Sequence, residues 1–429
     1  MTETDADTGT AAERAVPGSI WRNAPFLRLW TGETASAVGS QLAGLAIPTL
    51  AVTVLAASTF EVGVLNAMET LAFLVIGLPA GAWVDRMRKR RVMLSADLAR
   101  ALLLATIPAA WLLGVLTIWQ LIVVGALVGA ATVFFDVAYQ SYPPRILPAA
   151  LIGDANGALE GSQQVARVGG PAASGVLLAI FRPALVIGID AVSYFLSFLA
   201  ISSIRDDEQL PPRHERRPLL VEIREGLDFV FHEPLLVRVV ICTAGGNLFG
   251  TMTATMLPIL VLRTLDLGTT VWGVASSIAA IGGLLGAATS ALLARRIGEG
   301  TVIPLSAIVF GIGYVLFGLP GLFPSAAFPL LVVAEFVMSW SVLVYNITQL
   351  TYRQRICPPP LLGRMNASIR FIVWGVMPIG GLAAGLLGGW VGVEATIWIG
   401  GIGTLVFAAP VVFSRLLGMR TLPTEATAR

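Results

Sequence analysis

The chain has 429 residues, of which 56% are hydrophobic and 13% charged, with a net charge of +2 and a mean hydropathy of +0.80. A soluble domain is about half apolar and about a quarter charged, so this balance excludes one and places most of the chain in lipid. The apolar stretches are continuous and about 20 residues long, the length a helix needs to cross a bilayer, not the short alternating segments of a barrel.

Residues 1–20 read as a polar, disordered tail; Met1–Gly18 is acidic and has no apolar core, so no signal peptide is expected there. The segment 21–30, WRNAPFLRLW, mixes aromatics with Arg22 and Arg28, as an interfacial entry does. Six spans are predicted within a first bundle, 21–204, at 31–57, 60–83, 92–113, 118–142, 156–181 and 184–204. A polar loop follows at 205–235, whose part 219–231 reads as an amphipathic helix lying on the membrane. Six more spans fall in a second bundle, 236–416, at 236–262, 270–294, 302–322, 326–350, 366–391 and 394–416, before a short tail, 417–429.

Twelve spans put both termini on one side. That side collects Arg14, Arg22, Arg28, the Arg86–Arg91 cluster, Arg145, the Arg205–Arg224 loop, Arg295, Arg296, Arg353, Arg355 and Arg364; the other holds only Arg182 and Arg263. Arginine marks the cytoplasmic side, so both termini are expected there.

The chain also repeats itself at an offset of 210. Tyr142 falls on Tyr352, Arg145 on Arg355, Pro148 on Pro358, Gly153 on Gly363 and Asn156 on Asn366; the same offset pairs Pro48 with Pro258, Gly63 with Gly273, Gly170 with Gly380 and Gly175 with Gly385. Two parallel halves related by an axis along the membrane normal would produce this pattern.

Ionisable residues inside spans are costly and face a partner or a cavity. Asp97 and Arg100 are three apart and can meet on one helix face; they read as structural. Glu33 lies near an interface and can reach headgroups. Glu69, Asp136 and Glu335 have no base on their own helix to neutralise them, so they are the candidates for proton coupling or cation binding. Arg167 has Asp136 and Asp190 as possible partners. The cysteines, Cys242 and Cys357, form no framework, and His214 and His232 read as solvated loop residues. No metal-ligand cluster and no nucleophile–base pair is legible, so an enzyme is not expected; no cofactor and no nucleic-acid partner is expected either. No G-x-x-x-x-G-K-[ST] loop is present, so ATP is not the direct energy source.

The loop between spans two and three, Gly81-Ala-Trp-Val-Asp85-Arg86-Met-Arg88-Lys89-Arg90-Arg91, carries one acid and five bases. Its G-x-x-x-D-R-x-x-x-R string (Gly81, Asp85, Arg86, Arg90) resembles the loop between helices two and three of the major facilitator superfamily of transporters. The resemblance implies a cytoplasmic gate latch centred on Asp85. The repeat points to its partner region at the start of span eleven, Arg364 and Arg370. The matching loop of the second half, Ala294-Arg295-Arg296-Ile-Gly-Glu299, lacks the acid at that position. In span five, Arg167 precedes Gly170-Pro171-Ala-Ala-Ser-Gly175, similar to the G-P-x-x-x-G element of exporting, proton-antiporting branches. The fold implies a cavity lined by spans one, four, seven and ten, which nominates Gln41, Tyr139, Gln140, Asn247, Trp340, Tyr345 and Asn346 beside Asp136 and Glu335. Four further strings resemble the branch of macrolide efflux proteins, siderophore exporters and transmembrane secretion effectors: Phe26-Leu-Arg28-Leu-Trp30-x-Gly32, Ser36-x-x-Gly39-Ser40, Asp97-x-x-Arg100 and Asp190-Ala-x-Ser193-Tyr-x-x-Ser197.

The expectation is an all-α integral membrane protein with twelve transmembrane helices in two pseudo-symmetric six-helix bundles, the major facilitator fold. It is a monomer by default, in the bacterial inner membrane. The expected function is proton-coupled export of an amphipathic small molecule (a drug-like compound, secondary metabolite or siderophore) by alternating access. A proton-coupled importer, or a sensor or lipid-handling protein of the same fold, are the alternatives.

Overall fold

The computed structural model describes residues 19–84, 86–148, 151–205, 219–358 and 361–422. Every regular element among them is helical. Helix α1, Ala24–Thr49, starts where Asn23 Oδ1 accepts the Phe26 amide at 3.0 Å, and it runs into a π-helical turn, Leu50–Val54. Helix α2, Thr59–Val75, starts at a capping box made by Ser58 and Glu61. There follow α3 (Gly77–Val84), α4 (Lys89–Leu112), α5 (Ile118–Gln140), the short α6 (Pro143–Ile146), α7 (Ile152–Ile180) and α8 (Pro183–Ser202). The polar loop contains α9, Leu219–His232. Then come α10 (Pro234–Ile259) with a second π-helical turn at Leu260–Thr264, α11 (Gly268–Ile297), α12 (Glu299–Leu316) and α13 (Leu319–Leu322). The last helices are α14 (Ala327–Ile356), α15 (Leu362–Gly375), α16 (Met377–Trp390), α17 (Val393–Val406) and α18 (Ala409–Val412).

Ten stretches among the described residues are long and apolar enough to cross a membrane. The two other expected spans exist as helices but differ from that pattern. The second is broken at Ile76 into α2 and α3. Pro79 has no amide hydrogen to give the Val75 carbonyl, so the break falls where the ladder loses a bond. The fifth, α7, is long, but Asp154, Glu160, Gln163, Gln164 and Arg167 make its first half polar. The amphipathic helix α9 is present and packs on α15, where a β-carbon on Gly226 would lie 2.5 Å from the Arg364 carbonyl oxygen.

The offset of 210 recurs in the backbone. Both π-helical turns close with the same bonds: Leu55 N to Leu50 O at 3.0 Å and Leu265 N to Leu260 O at 2.8 Å. Each is followed by a non-glycine residue in the left-handed region, Ala56 (φ 49°) and Asp266 (φ 46°). Leu151 N bonds Pro148 O, and Leu361 N bonds Pro358 O, both at 2.9 Å. Arg28 Nη1 donates to Ser203 O at 2.5 Å, and Arg238 Nη1 to Phe413 O at 2.7 Å. The shared turns leave Tyr142 and Tyr352 almost fully buried at equivalent places.

Two close helix crossings obey the same relation. Helix α2 packs on α16, where a β-carbon on Gly63 would sit 2.5 Å from the Gly385 Cα. Helix α7 packs on α11, where one on Gly273 would sit 2.8 Å from the Gly175 Cα. Gly63 and Gly273 are one repeat pair, Gly175 and Gly385 the other, so the crossings exchange partners as a two-fold axis requires. Both lie toward the end opposite the Arg86–Arg91 cluster, called the far end below. There Arg263 Nη2 donates to the Val52 and Ala57 carbonyls, each at 2.9 Å, and ties the two π-helical turns together. Toward the basic end, Gly153, Gly157 and Gly161 of α7 would each point a β-carbon into open space.

Candidate functional site

A cavity of about 370 Å³ is enclosed by α1, α2, α4, α5 and α8, with Thr255 of α10 and Trp272 of α11 closing one side. Among the described residues its charged lining groups are Glu69 and Asp190, with no arginine or lysine; Ser40, Asn66, Thr132, Tyr194 and Thr255 add polar groups to an otherwise apolar wall. Glu69 is held against α5 because that helix presents glycines. A β-carbon on Gly129 would lie 2.3 Å from the Glu69 carbonyl oxygen, and one on Gly125 3.1 Å from its Cγ. Asp190 Oδ1 accepts from Ser193 Oγ at 3.0 Å, and the Ser40 and Tyr194 hydroxyls are bonded at 2.8 Å. Asn66 Oδ1 is buried without a hydrogen-bond partner.

A second cavity, about 170 Å³, lies toward the basic end and is lined by Gly77, Asp136, Ala367 and Arg370, among others. Phe73 lines both cavities and packs edge-on to Trp374, with centroids 4.9 Å apart. The Arg370 guanidinium lies over the Trp374 ring at 4.4 Å. One aromatic pair, one of its rings carrying a cation, therefore stands between an acidic chamber and a chamber holding Asp136.

The latch residues are distributed as follows. Asp85 lies outside the described residues, and Gly81 is in α3. Arg86 is exposed. Arg90 donates through Nε to Ile201 O at 3.3 Å and through Nη2 to Ser202 O, so it caps the C-terminal carbonyls of α8. Arg364 is ion-paired with Glu225 of α9. In the second half, Glu299 is the acid of the α11–α12 junction, four residues later than the latch pattern. It makes a two-point pair with Arg355, at 2.5 and 2.9 Å, and accepts the Leu422 amide at 3.3 Å.

None of the seven nominated cavity residues lines either chamber. Gln41 packs beside Gly170, Asn247 Nδ2 donates to Val373 O at 2.6 Å, and Trp340 Nε1 donates to Thr289 Oγ1 at 3.1 Å. The Tyr345 hydroxyl bonds Thr243 Oγ1 at 2.8 Å. Tyr139 stacks on Phe135, while Gln140 and Asn346 are exposed. Glu335 is buried on α14, within electrostatic range of Tyr314, and lines neither chamber. Pro171 and Gly175 sit at the crossing with α11. Arg167 is exposed and bonded to neither Asp136 nor Asp190, because its side of α7 faces open space.

Two features were missed from sequence. Asp190 lines the acidic chamber. Glu33, expected at the headgroups, is instead 7% exposed, with Oε1 unpartnered. The Asp97–Arg100 pair forms as its spacing predicts, at 2.5 Å.

The chain matches the family model described as transmembrane secretion effector over residues 17–428. It is 26% identical over 366 residues to the multidrug efflux pump Tap of Mycolicibacterium fortuitum, covering 83% of this chain and 87% of that protein. It is 25% identical over 412 residues to macrolide efflux protein A of Streptococcus pyogenes, covering 92% and 97%. Among solved structures, the nucleoside transporter NupG superimposes with a TM-score of 0.68 at 12% identity, over 90% of this chain and 98% of that one. A bacterial homologue of the iron transporter ferroportin, in an inward-facing state, superimposes with a TM-score of 0.68 at 16% identity, over 90% and 98%.

Proposed function

The chain belongs to the transmembrane secretion effector family of the major facilitator superfamily, a multi-pass membrane transporter with efflux relatives, and from that premise we propose that it exports an amphipathic cation in exchange for protons. In this reading twelve spans form two six-helix bundles that rock about the acidic chamber, in the inner membrane with the basic end in the cytoplasm.

The observation that carries the reading is the chamber itself: two carboxyls, no base, and an apolar wall with Phe73 and Trp272. Opposite charges about 4 Å apart attract by about 4 kcal/mol at an effective dielectric of about 20. An anion would meet repulsion instead, which favours drug-like bases over the anionic members of the expected substrate set. Export is supported by the relatives named as efflux proteins and by the Gly170-Pro171…Gly175 element at a helix crossing. Protons suit the exchange because a carboxyl that releases one gains the charge that binds the cation.

The test is ethidium accumulation in cells expressing wild type or Glu69→Gln, with and without uncoupler. Wild-type cells should hold less dye than vector controls, uncoupler should erase the difference, and Glu69→Gln should lower efflux by about tenfold or more. Full efflux by Glu69→Gln would remove the chamber from the mechanism.

A further inference from the structure

Glu33 belongs to a second group of buried polar residues, behind the acidic chamber. Helix α1 packs against α8, and α8 against α4. Between them Arg100 Nη2 donates to Asp97 Oδ1 at 2.5 Å, and Ser197 Oγ donates to Asp97 Oδ2 at 2.8 Å. Asp97 thus has a partner on each oxygen. The guanidinium is sandwiched between Phe135 and Tyr194, 4.2 and 4.1 Å from the ring centres. Two polar atoms of the group are buried without partners: Arg100 Nε, a donor, and Glu33 Oε1, an acceptor. Their residues are 3% and 7% exposed, and no ion pair joins them.

Charge accounting shows what is missing. Arg100 faces Asp97 on its own helix, Glu33 of α1, Asp136 of α5, and Asp190 and Tyr194 of α8. Tyr139 of α5 faces Glu33 and Asp136, and also Glu160 of α7. Asp136 is half-buried and shares the second cavity with Arg370; the three buried carboxyls, Glu33, Asp97 and Asp190, share the one cation Arg100 and cannot all be charged in a low-dielectric interior, so with Asp97 paired the others must bind protons or find solvent. Asp190 opens to the acidic chamber and Asp136 to the second. Glu33 lines neither chamber and forms no ion pair among the described residues, which leaves a proton to neutralise it.

We propose that Glu33 is a proton-binding site of the transporter, distinct from the chamber carboxyl Glu69, and that it exchanges its proton for the free Nε–H of Arg100. Protonated, Glu33 stands apart as observed. On losing its proton it becomes an anion, and a hydrogen bond from Arg100 Nε satisfies both orphaned atoms at once. Only one O–H bond breaks, and its proton leaves through the Asp136 or the Asp190 side. The inference rests on the proton-coupled reading above and gives that coupling a carboxyl outside the substrate wall.

Infrared difference spectra, taken as pH is raised on purified protein in lipid, test it without any substrate. Wild type should show a protonated-carboxyl C=O band that disappears with rising pH; Glu33→Gln should lack that band, and Glu33→Asp should shift it. Folding is checked by unchanged helical circular dichroism, and the Glu33→Asp shift decides the matter if Glu33→Gln does not fold. Identical bands in wild type and both variants would overturn the proposal. Ethidium efflux in the same strains separates the two readings: a Glu33 band in a protein that moves no ethidium keeps the proton site and removes the proposed substrate class.

Discussion

Replacing Arg100 by leucine takes away the partner of a carboxylate that has no water to turn to. Asp97 is 0% exposed, and the only other hydrogen bond to its carboxylate comes from Ser197 among the described residues. Breaking a buried pair from one side costs about 3–5 kcal/mol, because the remaining charge is left uncompensated. Arg100→Leu should therefore lower the thermal unfolding midpoint in detergent sharply. The double variant Arg100→Leu, Asp97→Asn should recover much of the loss, since neither charge then remains. A double variant as unstable as the single one would contradict this account. The pairing is legible, because residues three apart share a helix face. The depth of Glu33 is not: α1 begins at Ala24, so Glu33 lies about two and a half turns inside the helix, whereas a first span that starts at residue 31 places it at the surface.

At the scale of helices, the glycine pairs set how closely the crossings at the far end approach. Gly63 with Gly385, and Gly175 with Gly273, let backbones touch where any side chain would intervene. Gly63→Val and Gly175→Val should each wedge one crossing, and by the repeat relation should do so to similar degree. Cysteine pairs across α2–α16 and α7–α11 should then cross-link more slowly than in wild type, while Gly44→Ala, whose β-carbon would meet nothing within 4 Å, should leave both rates unchanged. Equal rates in all three variants would mean that the crossings carry no closure. The repeat that relates them was readable from Tyr142 with Tyr352 and Arg145 with Arg355. The same offset relates Arg28 and Arg238, whose kinship shows in their matching carbonyl bonds to Ser203 and Phe413. The cavity-facing residues were less readable for a physical reason. A helix between protein and lipid is apolar all round, so its pattern does not say which face turns inward. Ser40 lines the chamber and Gln41, about 100° away on the same helix, packs beside Gly170 instead.

For the molecule as a whole, the two ends are not held alike. The far end is tied by Arg263, whose guanidinium bonds two carbonyls beyond the opposite repeat's π-helical turn and within it. Its repeat equivalent is Thr53, whose hydroxyl, among the described residues, bonds only its own helix, at Thr49 O. The tie is therefore made from one side of the pseudo-axis, and no symmetric copy compensates for its loss. Hydrogen bonds from a charged donor contribute about 1.5–3 kcal/mol each, and about 2 kcal/mol corresponds to about thirtyfold in a two-state ratio. In the alternating-access reading proposed above, Arg263→Gln should accordingly move the population away from the far-closed form. Spin labels at positions 58 and 266, in a background with Cys242 and Cys357 replaced, report it directly: the distance distribution should gain a longer component in Arg263→Gln. Phe73 and Trp374, which divide the chambers, lie on the basic side of the same interface, so opening the far end should leave their contact in place. A distribution unchanged from wild type would show that the glycine crossings alone hold the far end, and would return Arg263 to the role its sequence position suggests, a cation at the membrane surface.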